Sequence, residues 1–409
     1  MKRFSQTAQD RYYTILLFLA ILIIAATLRS PITSVGPLIP FIREDLGVSN
    51  TIVGFVNTLP LLAFGLFSPF IPGISRKTGM EIMLLIAMIV LSTGIIFRSL
   101  GGTSMLLTGT VLLGLGIAVG NVLMPGLIKL SFPYRVGVMT GLYSVSMNVF
   151  GALASGVSVP IASLEMFTWR NSMQVWALFS LIAVVILILR LPEIRSSNKK
   201  VPGKVKSQPS TPLYKSKIAW AVTLFMGFQS FIPYSLFTWL PDILISKGFD
   251  ESEAGWLMAI YQVGLIPATF IVPIIAAKMQ SQRLIAFLSG LLFFFGLLGV
   301  SFTSSNAIVL FLILAGIGAG TTFSLAMMFF VLRTNTVAES SQLSGMAQSV
   351  GYMIAALGPI LLGSIAEWTQ GWSIPLVLLM IVSLCISLFG LVAGKDQKVS
   401  QSMQSQKTT

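Results

Sequence analysis

Long runs of apolar residues, separated by short polar turns, recur along the whole chain. A run of about 20 such residues is long enough to cross the hydrocarbon core of a bilayer as an α-helix. The pattern predicts twelve membrane-spanning helices, at residues 12–38, 51–72, 80–98, 103–127, 136–162, 172–191, 218–241, 253–277, 283–302, 305–332, 342–366 and 372–393. We therefore predict an all-α membrane protein with twelve transmembrane helices.

A polar stretch rich in Lys, Arg, Ser and Pro lies between the sixth and seventh predicted helices. Such a composition is typical of a flexible linker, and it separates two sets of six helices. We predict a six-helix bundle over residues 1–191, a basic cytoplasmic linker over 192–217 and a second six-helix bundle over 218–394. The polar residues 395–409 are expected to form a disordered cytoplasmic tail.

The two halves of the chain carry matching short patterns. Pro40 and Gly47 stand at the end of the first predicted helix and just after it, and Pro241 and Gly248 repeat their spacing at the seventh. The fourth and tenth helices both carry closely spaced glycines. Two six-helix bundles with weak internal similarity are typical of secondary transporters, in which both halves contribute to a substrate site near the membrane midplane. The bundles are therefore predicted to be pseudo-symmetric.

Composition supports the membrane assignment, and the placement of charge predicts the orientation. The 409 residues are 55% hydrophobic and only 10% charged, which is too apolar for a soluble globule. Basic residues are concentrated in alternate loops, and the opposite loops hold only Arg43, Arg98, Arg170 and Lys247. This asymmetry predicts that both termini and the central linker are cytoplasmic in the cell membrane. The net charge of +13 then marks the cytoplasmic leaflet, so no nucleic-acid partner is expected.

Residue content excludes several kinds of chemistry. The chain has no histidine and one cysteine, Cys385, which removes histidine proton relays, disulfide frameworks and cysteine-based metal sites. It has no phosphate-binding loop or nucleotide fingerprint. We therefore expect neither an enzyme nor a cofactor, and we expect a gradient or exchange, not ATP, to drive transport.

Arg29 is the residue on which the functional prediction depends. It lies more than a helical turn inside the first apolar run, whereas the other basic residues can be placed at the ends of helices. A charge in hydrocarbon costs several kcal/mol, so such a residue usually faces a cavity, a partner or a ligand. No Asp or Glu lies deep in a predicted helix, and a planar guanidinium suits small oxyanions or a nitro group. A structural anchor that bonds helix-end carbonyls is the alternative.

Four stretches resemble one branch of the major facilitator superfamily, the cyanate and 2-nitroimidazole transporters. They are LRSPITSVGPL at 28–38, GNVLMPGLIK at 120–129, WLP at 239–241 with Gln229 and Tyr234 upstream, and LSGMAQSVGY at 343–352. The resemblance covers nearly the whole chain. It implies the twelve-helix major facilitator fold, with helices one, four, seven and ten lining the cavity.

The resemblance and the positions of polar residues within helices give a set of candidates. For substrate binding they are Arg29, Asn121, Gln229, Tyr234, Tyr261 and Gln348. An Asn, Gln or Tyr in a span is more often the hydrogen-bond partner of a neighbouring helix, and that alternative stays open for each. The candidate gating residues are Arg76, Lys77, Glu81 and Trp239.

The loop between the second and third predicted helices departs from the family pattern. The superfamily usually carries an Asp where this chain has Arg76. The usual charge relay on the cytoplasmic face is therefore absent or rebuilt, for example around Arg76, Lys77 and Glu81. Trp239 is expected to line an outer gate, and a place in the interfacial aromatic belt explains it about equally well.

The sequence therefore predicts a transporter, secondary active or facilitative, that works by alternating access across the cell membrane. Its expected substrate is a small anionic or polar solute, such as cyanate, nitrate or a nitroheterocycle. A multidrug-type efflux antiporter of the same fold is the alternative, although such proteins often place an acidic residue in the membrane. A membrane sensor without transport is a third possibility, but the chain has no attached soluble domain. The expected partners are the small-molecule substrate and membrane lipid, with the chain acting as a monomer.

Overall fold

The computed structural model describes residues 2–48, 50–199, 213–303, 305 and 307–400. Within these residues the secondary structure is helical, with no β-strand. The α-helices in chain order are α1 Lys2–Thr33, α2 Val35–Leu46, α3 Asn50–Phe67, α4 Ile71–Thr78, α5 Met80–Phe97, α6 Thr103–Ser131, α7 Val136–Ala162, α8 Trp169–Gln174, α9 Ala177–Lys199, α10 Lys217–Ile245, α11 Glu251–Lys278, α12 Arg283–Phe302, α13 Ile308–Leu332, α14 Val337–Thr369 and α15 Ser373–Ala393. Short 3-10 helices, Pro133–Arg135 and Leu213–Lys215, precede α7 and α10.

Most of these helices are long and apolar enough to cross a bilayer. Ten of the described helices qualify, and α3 with α4 adds an eleventh if the two, bent by 64°, form one broken span. Helix α6, one of the ten, is 29 residues long, or about 44 Å at 1.5 Å per residue, which exceeds the hydrocarbon thickness. The all-α membrane fold predicted from the apolar runs is confirmed.

The first predicted span ends in a slight interruption. Helix α1 ends at Thr33, and α2 begins at Val35 after the single residue Ser34. Ser34 keeps helical dihedral angles, φ −65° and ψ −22°. Pro37 lacks the N–H that would bond the Thr33 carbonyl, so the ladder of backbone bonds is incomplete at this point. The Pro- and Gly-rich stretch therefore weakens the helix without turning the chain.

Contacts divide the chain into two compact units. Unit 1 comprises residues 1–124 and 146–211. In it α9 packs against both α1 and α5. The backbones of α5 and α6 also touch, because a Cβ added at Gly94 would lie 2.5 Å from the backbone nitrogen of Leu113. Small residues allow this approach where no hydrophobic force drives helices together in lipid.

Unit 2 comprises residues 125–145 and 212–409. Helix α10 packs against α14 and α15, while α13 packs against α11 and α12. A Cβ at Gly316 of α13 would overlap the Tyr261 carbonyl of α11, and one at Gly320 would overlap the Leu265 carbonyl. Gly318 faces Phe293 of α12 instead, so the spaced glycines of the tenth span allow close contact with both neighbours. The unit also contains the end of α6 and the start of α7, which come from the first half of the sequence.

The start of the C-terminal tail differs from the predicted disorder. Val399 is fully buried, and its N–H donates a hydrogen bond of 2.9 Å to the Arg333 carbonyl. The Lys398 ammonium donates to the Leu332 carbonyl at 2.5 Å. The last carbonyls of a helix lack partners within it, and the tail supplies donors to the end of α13. Residues 395–400 are therefore packed on unit 2, while 401–409 and linker residues 200–212 lie outside the described residues.

Candidate functional site

Arg29 lies in α1, about one turn before the helix ends at Thr33. Its guanidinium NH1 donates a hydrogen bond of 2.9 Å to the side-chain oxygen of Asn148 in α7. Both residues belong to unit 1, and Arg29 is partly buried. Asn148 is a neutral amide, so this bond orients the guanidinium without cancelling its positive charge. The structure thus gives the cation in the first span a neutral positioning partner.

Further contacts fix α1 against α7 on both sides of this pair. The Thr33 hydroxyl donates to the Gly151 carbonyl at 2.7 Å, and the Ser146 hydroxyl donates to the Leu22 carbonyl at 2.8 Å. A Cβ at Gly151 would lie 3.0 Å from Cγ of Arg29, so the arginine stem lies directly over this glycine. These contacts prevent α1 from rotating about its axis and hold the direction of the Arg29 side chain.

Asn121 is brought close to the same part of α1. It is buried in α6, and it follows Gly120, whose added Cβ would lie 2.5 Å from Cδ2 of Leu28. The glycine allows α6 to touch α1 one residue before Arg29. Asn121 and Arg29 therefore lie in the same region of unit 1, and a ligand role for Asn121 stays a prediction.

Two candidates in unit 2 make local hydrogen bonds. The Gln229 amide nitrogen donates to the Ser230 hydroxyl at 2.7 Å, and that of Gln348 donates to the Ser344 hydroxyl at 2.8 Å. Both glutamines are almost completely buried, with 1% and 0% of their surface exposed. Both bonds stay within one helix, so they do not supply the partner on a neighbouring helix that the structural alternative expects. Their role as substrate ligands remains a prediction.

The two tyrosine candidates occupy aromatic contacts in unit 2. The ring of Tyr234 meets that of Tyr352 edge to face, with centroids 6.4 Å apart, so the two residues join α10 to α14. Tyr261 is fully buried and meets Phe237 in the same way at 6.0 Å. Tyr234 keeps part of its surface exposed, which makes it the more accessible of the two for a ligand.

Glu81 has a partner that the sequence did not indicate. Arg190 of α9 holds it with two hydrogen bonds, 2.7 Å from Nε to Oε2 and 2.9 Å from NH2 to Oε1. The Arg190 NH1 also donates to the Tyr13 carbonyl of α1. Arg76 and Lys77 lie exposed in the last turn of α4. The charge pair at this end of unit 1 therefore joins α1, α5 and α9, and gating by these residues remains a prediction.

Trp239 joins α10 to α14. Its indole N–H donates to the Pro359 carbonyl at 2.8 Å, and its ring lies 5.4 Å from that of Trp372. A Cβ at Gly363 would lie 2.7 Å from Cζ2 of Trp239, so the indole covers this glycine. A backbone carbonyl oxygen has two lone pairs, so the Pro359 carbonyl can accept this side-chain donor in addition to a backbone N–H. The hydrogen bond and the ring contacts together fix the orientation of the Trp239 indole in unit 2.

Arg98 is more deeply buried than its position in the sequence suggests. It directly follows α5, but only 1% of its surface is exposed, and its Nε and NH2 atoms have no hydrogen-bond partner among the described residues. A Cβ at Gly109 would lie 2.5 Å from Cβ of Arg98. The small residue on α6 thus lets the next helix cover the arginine. An arginine at the end of a helix is therefore not always exposed to solvent. In the sequence, Gly109 is the feature that could have indicated the burial of Arg98.

These features define the class of protein. The described helices cross a bilayer many times, and an arginine inside a span is oriented by a neutral amide. Among the described residues, no group of three or more His, Cys, Asp or Glu side chains could hold a metal ion. An ionisable residue held within the spans of such a bundle is typical of a solute transporter.

Comparison with known proteins gives the family. The chain belongs to the Major Facilitator Superfamily, which matches residues 15–356 and, in a second match, 243–407. It is 40% identical over 387 residues to an uncharacterized transporter, YycB, of Bacillus subtilis (strain 168), covering 94% of this chain and 95% of that protein. It is 39% identical over 385 residues to the 2-nitroimidazole transporter of Escherichia coli (strain K12), covering 94% and 97%. The chain is therefore a transporter and not an enzyme.

A more distant relative and a solved structure agree with this assignment. The cyanate transport protein CynX of Escherichia coli (strain K12) is 26% identical over 347 residues, covering 84% of this chain and 88% of that protein. The proton:xylose symporter XylE, a major facilitator protein of known structure, superposes with a TM-score of 0.76 at 12% identity, covering 96% of this chain and 98% of that chain. At that identity the superposition establishes the fold alone. The family resemblance drawn from the four sequence stretches is confirmed.

Proposed function

We propose that this transporter carries a small anion or a nitro-substituted heterocycle, and that Arg29 recognises it. The observation that supports the proposal is the Arg29 guanidinium, which lies inside a span and is oriented by Asn148 at 2.9 Å. A hydrogen bond to a neutral amide orients the guanidinium and does not cancel its positive charge. The planar fork matches a nitro group or an oxyanion in two-point hydrogen bonding.

The names of two relatives agree with this chemistry. One is called a 2-nitroimidazole transporter and the other a cyanate transport protein. A nitro group carries two partly negative oxygens, and cyanate is a small anion, so one fixed arginine suits both. We propose that the solute moves by alternating access, without ATP, in exchange or along a gradient. The protein is proposed to lie in the cell membrane with both termini in the cytoplasm.

Binding to purified protein tests the role of Arg29. Arg29→Lys keeps the charge but loses the fork, and we expect affinity for 2-nitroimidazole or cyanate to fall by about tenfold or more. Arg29→Ala should abolish binding, and also uptake into proteoliposomes, while the protein still folds because an intramembrane charge is removed. Arg43→Lys, at an exposed position of α2, is the matched control and should bind like the parent.

Three results would contradict the proposal. Arg29→Ala that binds either compound like the parent would show that the arginine does not contact the solute. Arg29→Ala that no longer folds, measured by thermal stability in detergent, would make Arg29 a structural anchor. Transport of neutral amphipathic dyes with no dependence on Arg29 would favour the multidrug-type alternative.

A further inference from the structure

A cavity in unit 2 is lined by none of the candidate substrate-binding or gating residues. Its volume is about 500 Å³, and it lies among the end of α6, the start of α7 and the ends of α11 and α13. Four basic residues line it, namely Lys129, Arg135, Lys278 and Lys398. No Asp or Glu is among the described residues that line it. The cavity therefore gathers cations on the side that the basic-residue asymmetry assigns to the cytoplasm.

Two of the four cations build the walls of this cavity. The Lys129 ammonium donates to the carbonyls of Val331 and Thr334 at 3.0 Å and 2.6 Å, and to the Thr334 hydroxyl at 2.8 Å. The Lys398 ammonium donates to the Leu332 carbonyl at 2.5 Å. Both lysines therefore satisfy the end of α13, where cations are favoured by the helix dipole. Their ammonium groups therefore border the cavity with donors already in use.

The other two cations are available to a ligand. Arg135 and Lys278 are exposed, at the start of α7 and the end of α11. The first residues of α7, Val136 to Val138, also line the cavity, and the N–H groups that begin a helix favour an anion. An anion in the cavity would thus meet two exposed cations, two lysines held by the end of α13 and the positive end of a 27-residue helix.

The charges at this place repel one another. Burial and then the nearby Arg333 charge lower the pKa of Lys398, while Asp396 and Glu339 act in the opposite direction without offsetting the effect. Glu339 is itself engaged, because its carboxylate accepts the Asn335 N–H at 2.7 Å. A bound anion would relieve this repulsion, since an opposite charge within a few ångströms favours the protonated form of a lysine.

The rim indicates which anion fits. Tyr134 is fully exposed, and Val138 is 40% exposed, so an aromatic ring and an apolar side chain stand at the mouth of a basic cavity. Tyr is enriched at membrane–water interfaces, and basic pockets between helices on the cytoplasmic side bind anionic head groups. We propose that the cavity binds a phosphate-bearing anion of head-group size, carried either by a membrane lipid or by a free organic phosphate.

The test measures binding of phosphatidylglycerol to the purified full chain in detergent, with phosphatidylcholine as the neutral comparison. The variant is Arg135→Gln with Lys278→Gln, which spares the lysines that hold α13. Each basic residue near an anionic surface contributes about fivefold in affinity, so we expect roughly 30-fold weaker binding of phosphatidylglycerol. The matched control is Arg11→Gln with Lys217→Gln, two exposed residues outside the cavity, and it should bind like the parent.

Competition with glycerol 3-phosphate distinguishes the two sources of the anion. If it displaces the lipid at similar concentrations, a free organic phosphate is the ligand; if it does not, the membrane lipid is. The proposal is overturned if the double variant binds phosphatidylglycerol like the parent. It is equally overturned if the control variant loses as much affinity, because the attraction would then be unspecific. If the double variant fails to fold, Arg135→Gln alone is measured, and its affinity for phosphatidylglycerol should fall by about fivefold. An unchanged affinity of this single variant would then overturn the proposal.

Discussion

Changing Asn148 to Asp gives the sharpest test of how Arg29 works. The substitution replaces a neutral acceptor, 2.9 Å from the Arg29 guanidinium, by a carboxylate of nearly the same shape. The hydrogen bond is kept and becomes an ion pair, so the protein should fold as well as the parent or better. The charge that the solute needs would be cancelled. We therefore expect stability and substrate affinity to change in opposite directions.

The magnitude follows from the geometry. Two like unit charges about 8 Å apart repel each other by about 2 kcal/mol at an effective dielectric constant of 20. A carboxylate at residue 148 and an anion on the opposite side of the Arg29 guanidinium would be separated by about this distance. Since 1.4 kcal/mol is tenfold, affinity for cyanate should fall by about 30-fold. Asn148→Ala only removes the hydrogen bond that positions Arg29, which is worth about 1.5 kcal/mol for a bond to a charged group. Affinity for cyanate should therefore fall by about tenfold.

The assay is titration of purified protein with cyanate, followed by tryptophan fluorescence or calorimetry, with a thermal melt of each variant. The control is Ser163→Asp, an exposed position just after α7 that adds the same charge about 22 Å along the helix direction from residue 148. It should leave affinity within about twofold of the parent, because exposed charges beyond a Debye length are screened. Equal affinities of the Asp and Ala variants at 148 would refute the charge-recognition role of Arg29.

The remaining predictions concern stability and orientation. Arg190→Met leaves Glu81 unpaired in a largely buried site, so the free energy of unfolding in detergent should fall by about 3 kcal/mol, and adding Glu81→Leu should restore much of it; an unchanged melt would mean that the pair is not formed. Trp239→Phe keeps a ring but removes the donor to a carbonyl of α14, and should lower stability by about 1 kcal/mol. Reporter fusions at Ser207 and Gln404 should both report the cytoplasm, and an external signal from either would contradict the proposed orientation.

The apolar pattern predicted the class of fold because a bilayer dictates the length and composition of the segments that cross it. Boundaries were less certain, since water-exposed and lipid-exposed turns of one helix can differ in polarity without a break in the backbone. Helix α9, for example, continues to Lys199, past the predicted end at residue 191. Residues 395–400 are polar in composition, but Val399 is buried by contacts that a local pattern does not contain.

The sequence predicted only those site residues that are unusual within their own stretch of chain. Arg29 is visible because a lone charge in an apolar run is costly. Asn148 is 119 residues away from it, and Arg190 is 109 residues away from Glu81. Such pairs depend on which helices become neighbours, and one sequence gives no measure of that. Arg98 was overlooked for the same reason, because its burial depends on Gly109 of the following helix.

The membership of residues 125–145 in unit 2 has a consequence for how the protein is made. This segment turns back from α6 into α7, and its Gly137 touches the Pro273 carbonyl so closely that an added Cβ would lie 2.6 Å away. Lys129 likewise depends on carbonyls of Val331 and Thr334. When the ribosome has finished the first six spans, these partners have not yet been synthesised. The helices of unit 1 therefore have their partners early, whereas residues 125–145 gain theirs only after α11 and α13 have been inserted.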